Sequence, residues 1–273
     1  MKIKLTIEQT DYSADLSRPQ SIAITLRPNG EQPSHFGAPA ASSKPVEVGS
    51  FIGDTRRGGS CNASQLTLVP HCNGTHTESI AHITDQKFAV YRAIRQPMFP
   101  AVLISVTPKL ASETNDSYRA GFDPDNRVID RAQLESLLAR YRDQQLVGLV
   151  IRSLPNQPSK KSCVYSSDNY PIYLTNEAMT YLSERTVNHL LVDFPSVDKM
   201  YDQGQLSNHR IFWNVAMEQT SQSAVAHFDK TITEMIFIDD KIEDGFYLCD
   251  LQIPQIETDA VPSRPLLFKL ARD

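Results

Sequence analysis

The sequence predicts an α/β fold, a single domain over residues 1–273 built on a mixed sheet, and three observations carry that expectation. First, residues 101–106, 146–151 and 190–192 are short, almost wholly apolar runs, the signature of strands buried on both faces. Second, a helical pattern from Thr175 to about Arg185 separates the last two runs, which is the order of a parallel crossover unit. Third, residues 2–7 and 21–26 alternate apolar and polar side chains, and strand-like patterning returns from Thr231 to Leu270.

Taken in chain order, each element has a local reason. Ile3, Leu5 and Ile7 fall on one face of an extended segment, as do Ile22, Ile24 and Leu26. Residues 65–69 (Gln-Leu-Thr-Leu-Val) read as a strand that runs directly into a histidine-rich segment. Asp130 is a helix N-cap followed by Leu134, Leu137, Leu138 and Tyr141 at the i, i+3, i+4, i+7 positions of one face. Thr175 is a second N-cap, with Ala178 and Leu182 following. Residues 33–45, rich in Pro, Ala, Ser and Gly, read as a surface loop inside one domain.

Composition narrows the function classes. Apolar residues make up 40% of the chain and charged residues 22%, an ordinary globular balance. A net charge of -5 and a pI near 5.8, with no lysine- or arginine-rich patch, exclude a phosphate-binding footprint. We therefore expect no nucleic-acid or membrane partner. The N-terminus lacks the unbroken apolar run of a secretory signal, and no stretch reaches the length of a membrane span, so a cytoplasmic chain is expected. The four cysteines include no Cys-x-x-Cys pair and read as reduced thiols.

The segment from Pro70 to His82 carries the chemistry. Three of the seven histidines fall in it, together with Cys72 and Glu78. These side chains suit a borderline divalent cation. Gly74 permits a tight turn between Cys72 and His76. His76 and Glu78 share one face of an extended backbone. Glu78 and His82 would align on a helix starting there. Of the other histidines, His35 and His189 read as structural or solvated. Arg56 and Arg57 are candidates to grip a substrate carboxylate. Trp213 is a candidate pocket wall, or else a core aromatic. Asp193 is a candidate partner for a ligand histidine, or else a turn former.

This segment resembles the motif His-x-Gly-Thr-His-x-Asp-x-Pro-x-His of the cyclase family, whose best-understood branch is bacterial kynurenine formamidase. Gly74, Thr75, His76 and His82 match in place. Downstream, Asp193 and the Ser196-Val197-Asp198 turn, His209, Glu234, and the Asp259, Pro262 and Arg264 set keep the family's order, so the likeness spans Phe51 to Leu270. The resemblance implies a swivelling β/β/α fold, a homodimer or larger homo-oligomer, and one or two divalent ions, zinc first and manganese as the alternative. It implies Cys72, His76, Glu78, His209 and Glu234 as ligands, with Glu78 bridging two ions and His82 as general acid/base.

Three positions depart from the motif: Cys72 stands for a histidine, Glu78 for the aspartate and Ile80 for the proline. A thiolate keeps a zinc site feasible and disfavours manganese. His71, one residue before Cys72, is a further candidate ligand. So is His227, inside a His209-to-Glu234 interval longer than in formamidases. The expected activity is hydrolysis of a C–N amide bond in a small carbonyl compound, with N-formylkynurenine the nearest precedent. The alternatives are a lactone or cyclic-amide hydrolase, or a catalytically silent small-molecule binder.

Overall fold

A computed structural model describes residues 1–217 and 226–273. Among the described residues, nine strands form one mixed sheet. In chain order they are β1 (Gln20–Ser21), β2 (His76–Glu78), β3 (Met98–Val106), β4 (Gly148–Ser153), β5 (His189–Val192), β6 (Thr231–Glu234), β7 (Gly245–Asp250), β8 (Ala260–Pro262) and β9 (Leu266–Lys269). Their spatial order is β8-β2-β6-β5-β4-β3-β7-β9-β1. The central strands β3 to β6 run parallel, and the flanking pairs are antiparallel.

Among the described residues, four α-helices accompany the sheet: α1 (Pro70–Asn73), α2 (Arg131–Leu138), α3 (Asn176–Glu184) and α4 (Ser207–Trp213). The last three lie in the crossovers between successive parallel strands. Alternation along the strands explains their continuous apolar sequences. Val102, Ile104, Leu149, Ile151, Leu190 and Val192 pack with Leu134, Leu138, Ala178, Leu182 and Phe212 of the helices. Ala101, Leu103, Val150 and Leu191 point the other way, onto Ile22, Ile236, Tyr247 and Leu267. Both expected caps form: Asp130 accepts from the Gln133 N–H and Thr175 from the Ala178 N–H.

The structure departs from the sequence expectation in three places. Residues 2–7 do form a strand, but it pairs with Thr10–Asp15 in a separate small sheet. Of residues 21–26 only Ser21, following Gln20, enters the main ladder, and Ala23 makes an isolated bridge to Ile236, while the Ile24 N–H donates to Thr75 Oγ1 (2.8 Å) instead of to a strand. The 65–69 strand is Ser64–Thr67, paired with Ser42–Pro45 outside the main sheet. No described helix is long and apolar enough to cross a membrane.

Candidate metal centre

The motif segment folds as a short helix, a turn, a strand and a second turn. Pro70 starts α1, and Gly74, at φ +150°, ends it in a conformation essentially restricted to glycine. The chain then enters β2, which lies between β6 and β8. His76 and Glu78 project to one face, while Thr77 projects to the other and bonds Thr233 Oγ1 at 2.8 Å. The expected helix from Glu78 to His82 is instead a 3₁₀ turn over Ile80–His82. It still returns His82 toward Glu78.

Register delivers the distant residues. Glu234 lies directly across from His76 in the ladder, and its Oε2 is 3.4 Å from His76 Nε2. Glu234 Oε1 accepts from the Val197 N–H at 2.9 Å. From α4, His209 Nε2 sits 2.8 Å from Glu78 Oε1 and 3.8 Å from Glu234 Oε1. His209 Nδ1 donates to Asp198 Oδ2 (2.5 Å), which leaves Nε2 turned to the centre. Asp198 also accepts from Tyr118 Oη at 2.6 Å.

The outer wall is imidazole on imidazole. The His71 and His82 rings stack at 4.1 Å. His71 Nδ1 is 2.9 Å from Glu78 Oε2, and its Nε2 is 2.8 Å from Asp259 Oδ2. His82 reaches Glu78 Oε2 at 3.8 Å and Asp259 Oδ2 at 3.7 Å. Asp259 is held there because its carbonyl accepts the Ser79 N–H at 3.0 Å, next to β8.

Charge is concentrated and dry. Glu78 and His76 are completely buried, and Glu234 is 3% exposed. Burial opposes ionisation of Glu78, but His82 and His209 outweigh it and hold the carboxyl well below the usual range. Burial likewise opposes protonation of His71, yet Asp259 and Glu78 lift it to about 10. His209 is raised against burial by Glu78 and Asp198.

These residues fit a divalent cation. Ligand atoms of His71, His76 and Glu78 lie within 4.8 Å of one another, and so do those of Glu78, His82 and His209. Glu78 belongs to both sets. Among the described residues, His76 Nε2 is buried without a hydrogen-bond partner, and the equally buried Glu78 Oε2 is met by the imidazoles of His71 and His82, an arrangement costly in a metal-free interior. Nitrogen and carboxylate donors suit zinc or manganese.

The structure thus brings together His76, Glu78, His82, His209 and Glu234, with His71. Cys72 joins none of these sets among the described residues. Its thiol is raised by burial and by the charge of Glu234. His227 is drawn away from the centre: its N–H donates to the Trp213 carbonyl (3.0 Å), and it lines a surface cleft with Arg210 and Ile211. Trp213 is a core residue, fully buried, its Nε1 donating to the Lys230 carbonyl at 3.0 Å. Arg56 and Arg57 lie on an exposed turn, where they pair with Asp54 and Glu47.

Asp193 serves Lys160 Nζ (2.7 Å) and the Ser153 N–H (3.0 Å), not a ligand histidine. That task falls to Asp198, to which sequence reasoning assigned no role, as it assigned none to Asp259. The signal for Asp198 is its place after β5 in the Ser-Val-Asp turn. His189 is structural as expected, stacked on Phe99 at 4.2 Å and pushed down to about 4 by burial.

Comparison with known proteins bears on the family and the fold. The Cyclase family model matches residues 11–199, well over half of the chain, and His209, Glu234 and Asp259 fall beyond that span. No curated protein sequence matches. Among solved structures, a predicted metal-dependent hydrolase from Bacillus stearothermophilus superposes with a TM-score of 0.59 at 14% identity, covering 92% of this chain and 98% of that one. An isatin hydrolase bound to the product analogue thioisatinate gives a TM-score of 0.59 at 12% identity, with 92% of each chain covered. Isatin hydrolase A from Labrenzia aggregata gives 0.53 at 16% identity, covering 92% of this chain and 93% of that one. At such identities the likeness establishes the shared fold.

Proposed function

Since this chain belongs to the cyclase family, we propose that it is a metal-dependent hydrolase that cleaves a C–N amide bond of a small carbonyl compound. One observation carries the reading. Imidazoles and carboxylates from segments 131 residues apart converge in one buried centre, where His76 Nε2 has no hydrogen-bond partner among the described residues.

A divalent cation, zinc first, supplies Lewis acidity when bound, making water nucleophilic near neutral pH and polarising a carbonyl. His76, Glu78, His209 and Glu234 are the residues that would hold it, with His71 at the outer edge in place of Cys72. Asp198 fixes the His209 tautomer, and the Val197 N–H fixes Glu234. His82 is the proton carrier. Its side chain is 26% exposed while Glu78 beside it is fully buried, so His82 touches both solvent and centre. It is placed to protonate the leaving nitrogen.

N-formylkynurenine and a cyclic amide such as isatin are the two substrates to try first. The second gains from the shared fold with isatin hydrolases. The test is turnover by zinc-loaded protein on these compounds and a lactone. His82→Ala should retain zinc and lose about 10²–10⁴ in rate. Metal-loaded protein inert toward the whole panel would instead support a small-molecule binder. Sedimentation of the purified protein tests the expected homodimer.

A further inference from the structure

Asp259 belongs to neither ligand set of the centre, yet the same strand fixes its place. Ala260 and Pro262, in β8, pair with Glu78 and His76 of β2. The Asp259 carbonyl accepts the Ser79 N–H (3.0 Å), and the Thr258 carbonyl accepts the Val90 N–H (2.9 Å). Thr258 Oγ1 donates to Asp259 Oδ1 at 3.0 Å, which leaves Oδ2 for the imidazoles. Oδ2 lies 2.8 Å from His71 Nε2 and 3.7 Å from His82 Nδ1.

Ligand atoms of His71, His82 and Asp259 lie within 4.8 Å of one another, a third such group beside the two at the centre. Tetrahedral zinc with bonds of about 2.0–2.1 Å holds its ligand atoms about 3.3–3.4 Å apart. The separations of 2.8 and 3.7 Å bracket that spacing. Two imidazoles and one carboxylate also make up the three-residue set of zinc sites that keep a position open. This group faces outward: the side chains of His71, His82 and Asp259 are 23%, 26% and 36% exposed, whereas that of Glu78 is fully buried. A cavity of about 330 Å³, lined by Ala81, Phe88 and Asp259, borders it and gives an ion a way in. Of the two cations on that wall, Arg92 is paired with Glu257 (3.3 Å) and Lys87 is exposed to solvent.

His71 stands between two carboxylates, with Nδ1 on Glu78 (2.9 Å) and Nε2 on Asp259. His82 repeats the pattern at longer range, with Nε2 toward Glu78 (3.8 Å) and Nδ1 toward Asp259. Each ring therefore turns one nitrogen to the inner centre and the other to Asp259. The outer nitrogens and Oδ2 together call for positive charge, which a divalent cation supplies more fully than a proton.

We propose that His71, His82 and Asp259 form a second, outer cation site, which takes zinc after the inner centre is filled and then halts hydrolysis. His71 Nε2, His82 Nδ1 and Asp259 Oδ2 are the ligand atoms, and any proton on those nitrogens is released to solvent as the ion binds. An imidazole bound through Nδ1 cannot become imidazolium, so His82 no longer carries a proton. The site stands by itself, whereas the inhibition rests on the hydrolytic reading above.

Equilibrium dialysis of the full-length chain against zinc alone tests the site. The native chain should show a tight class of ions and a weaker class of one ion. Asp259→Asn keeps the size of the side chain and the backbone bond to Ser79; it should lose the weaker ion and keep the tight class. His82→Ala should do the same, and circular dichroism checks that both variants fold. On any compound of the panel above that the native chain hydrolyses, zinc that fills the weaker site should abolish turnover, and Asp259→Asn should withstand the same zinc.

A native chain without the weaker ion, or variants that keep it, would overturn the site. Equal inhibition of Asp259→Asn by zinc would overturn the blocking of His82. Should the native chain lack the tight class and hold a single ion that both variants lose, the inner centre fails while the outer site stands. Should the native chain hydrolyse nothing in the panel, the hydrolytic reading and the inhibition fall together, and dialysis alone decides the site.

Discussion

Asp198 decides which nitrogen of His209 faces the centre. Its Oδ2 accepts from both the His209 N–H and Nδ1, and its Oδ1 accepts from Tyr118 and the Asn208 N–H, so both oxygens are committed and cannot rotate away. A neutral amide in its place lowers the basicity of the imidazole and presents a donor where an acceptor is required. Asp198→Asn is therefore expected to weaken zinc binding about 10–100-fold. Chelator competition measures it, and an unchanged zinc affinity would remove Asp198 from the centre. At this scale the sequence was legible in part. Spacing placed His76, Glu78 and His82 together, because a two-residue step on a strand fixes the face. It did not separate Cys72 from His71, because only the geometry of α1 decides which of two adjacent side chains turns inward.

Elements with local caps were legible; those held by tertiary contacts were not. Helices α2 and α3 announced themselves through Asp130 and Thr175. Helix α4, which carries His209, has no such signal: Leu206 stands at its N-cap in a left-handed conformation with no capping side chain. Its first N–H groups are satisfied by Asp198, ten residues away. The same carboxylate thus starts the helix and orients the histidine that the helix presents. The strand at 21–26 failed for a similar reason, since a Thr75 hydroxyl takes the hydrogen bond a neighbouring strand would have made. A cap is testable separately from the chemistry. Thr175 is fully buried, accepts from Ala178 and donates to Asp116 Oδ2 at 2.7 Å. Thr175→Ala should cost about 1–2 kcal/mol in urea unfolding and leave zinc affinity intact. A change in zinc affinity would show that α3 helps to shape the centre.

Across the whole molecule, the centre joins parts of the chain that the parallel core does not. Strands β3 to β6 are tied by crossovers and apolar packing, whereas β2 joins β6 through an antiparallel ladder and meets α4 through the buried Glu78–His209 pair. Without a cation, Glu78 is balanced only by imidazoles that must stay protonated in a dry site, and His76 Nε2 stays unpaired. A bound cation satisfies both, so its binding free energy adds to folding stability. At free zinc about 100-fold above Kd the gain is about 2.7 kcal/mol. For a chain of this size that is a rise of roughly 5–10 °C in Tm. Glu78→Gln should abolish the rise, because Glu78 supplies the donor atoms common to both ligand sets. The metal-free baseline of that variant can move in either direction, since losing a buried carboxylate also strips His82 and His209 of their counter-charge. The quantity to read is therefore the zinc-dependent difference in Tm, not either value alone. Thr175→Ala is the control: it lowers both values together and preserves the difference. A native chain whose Tm ignores zinc, or a Glu78→Gln variant with the full zinc shift, would mean that the converging side chains are a polar core and not a metal centre.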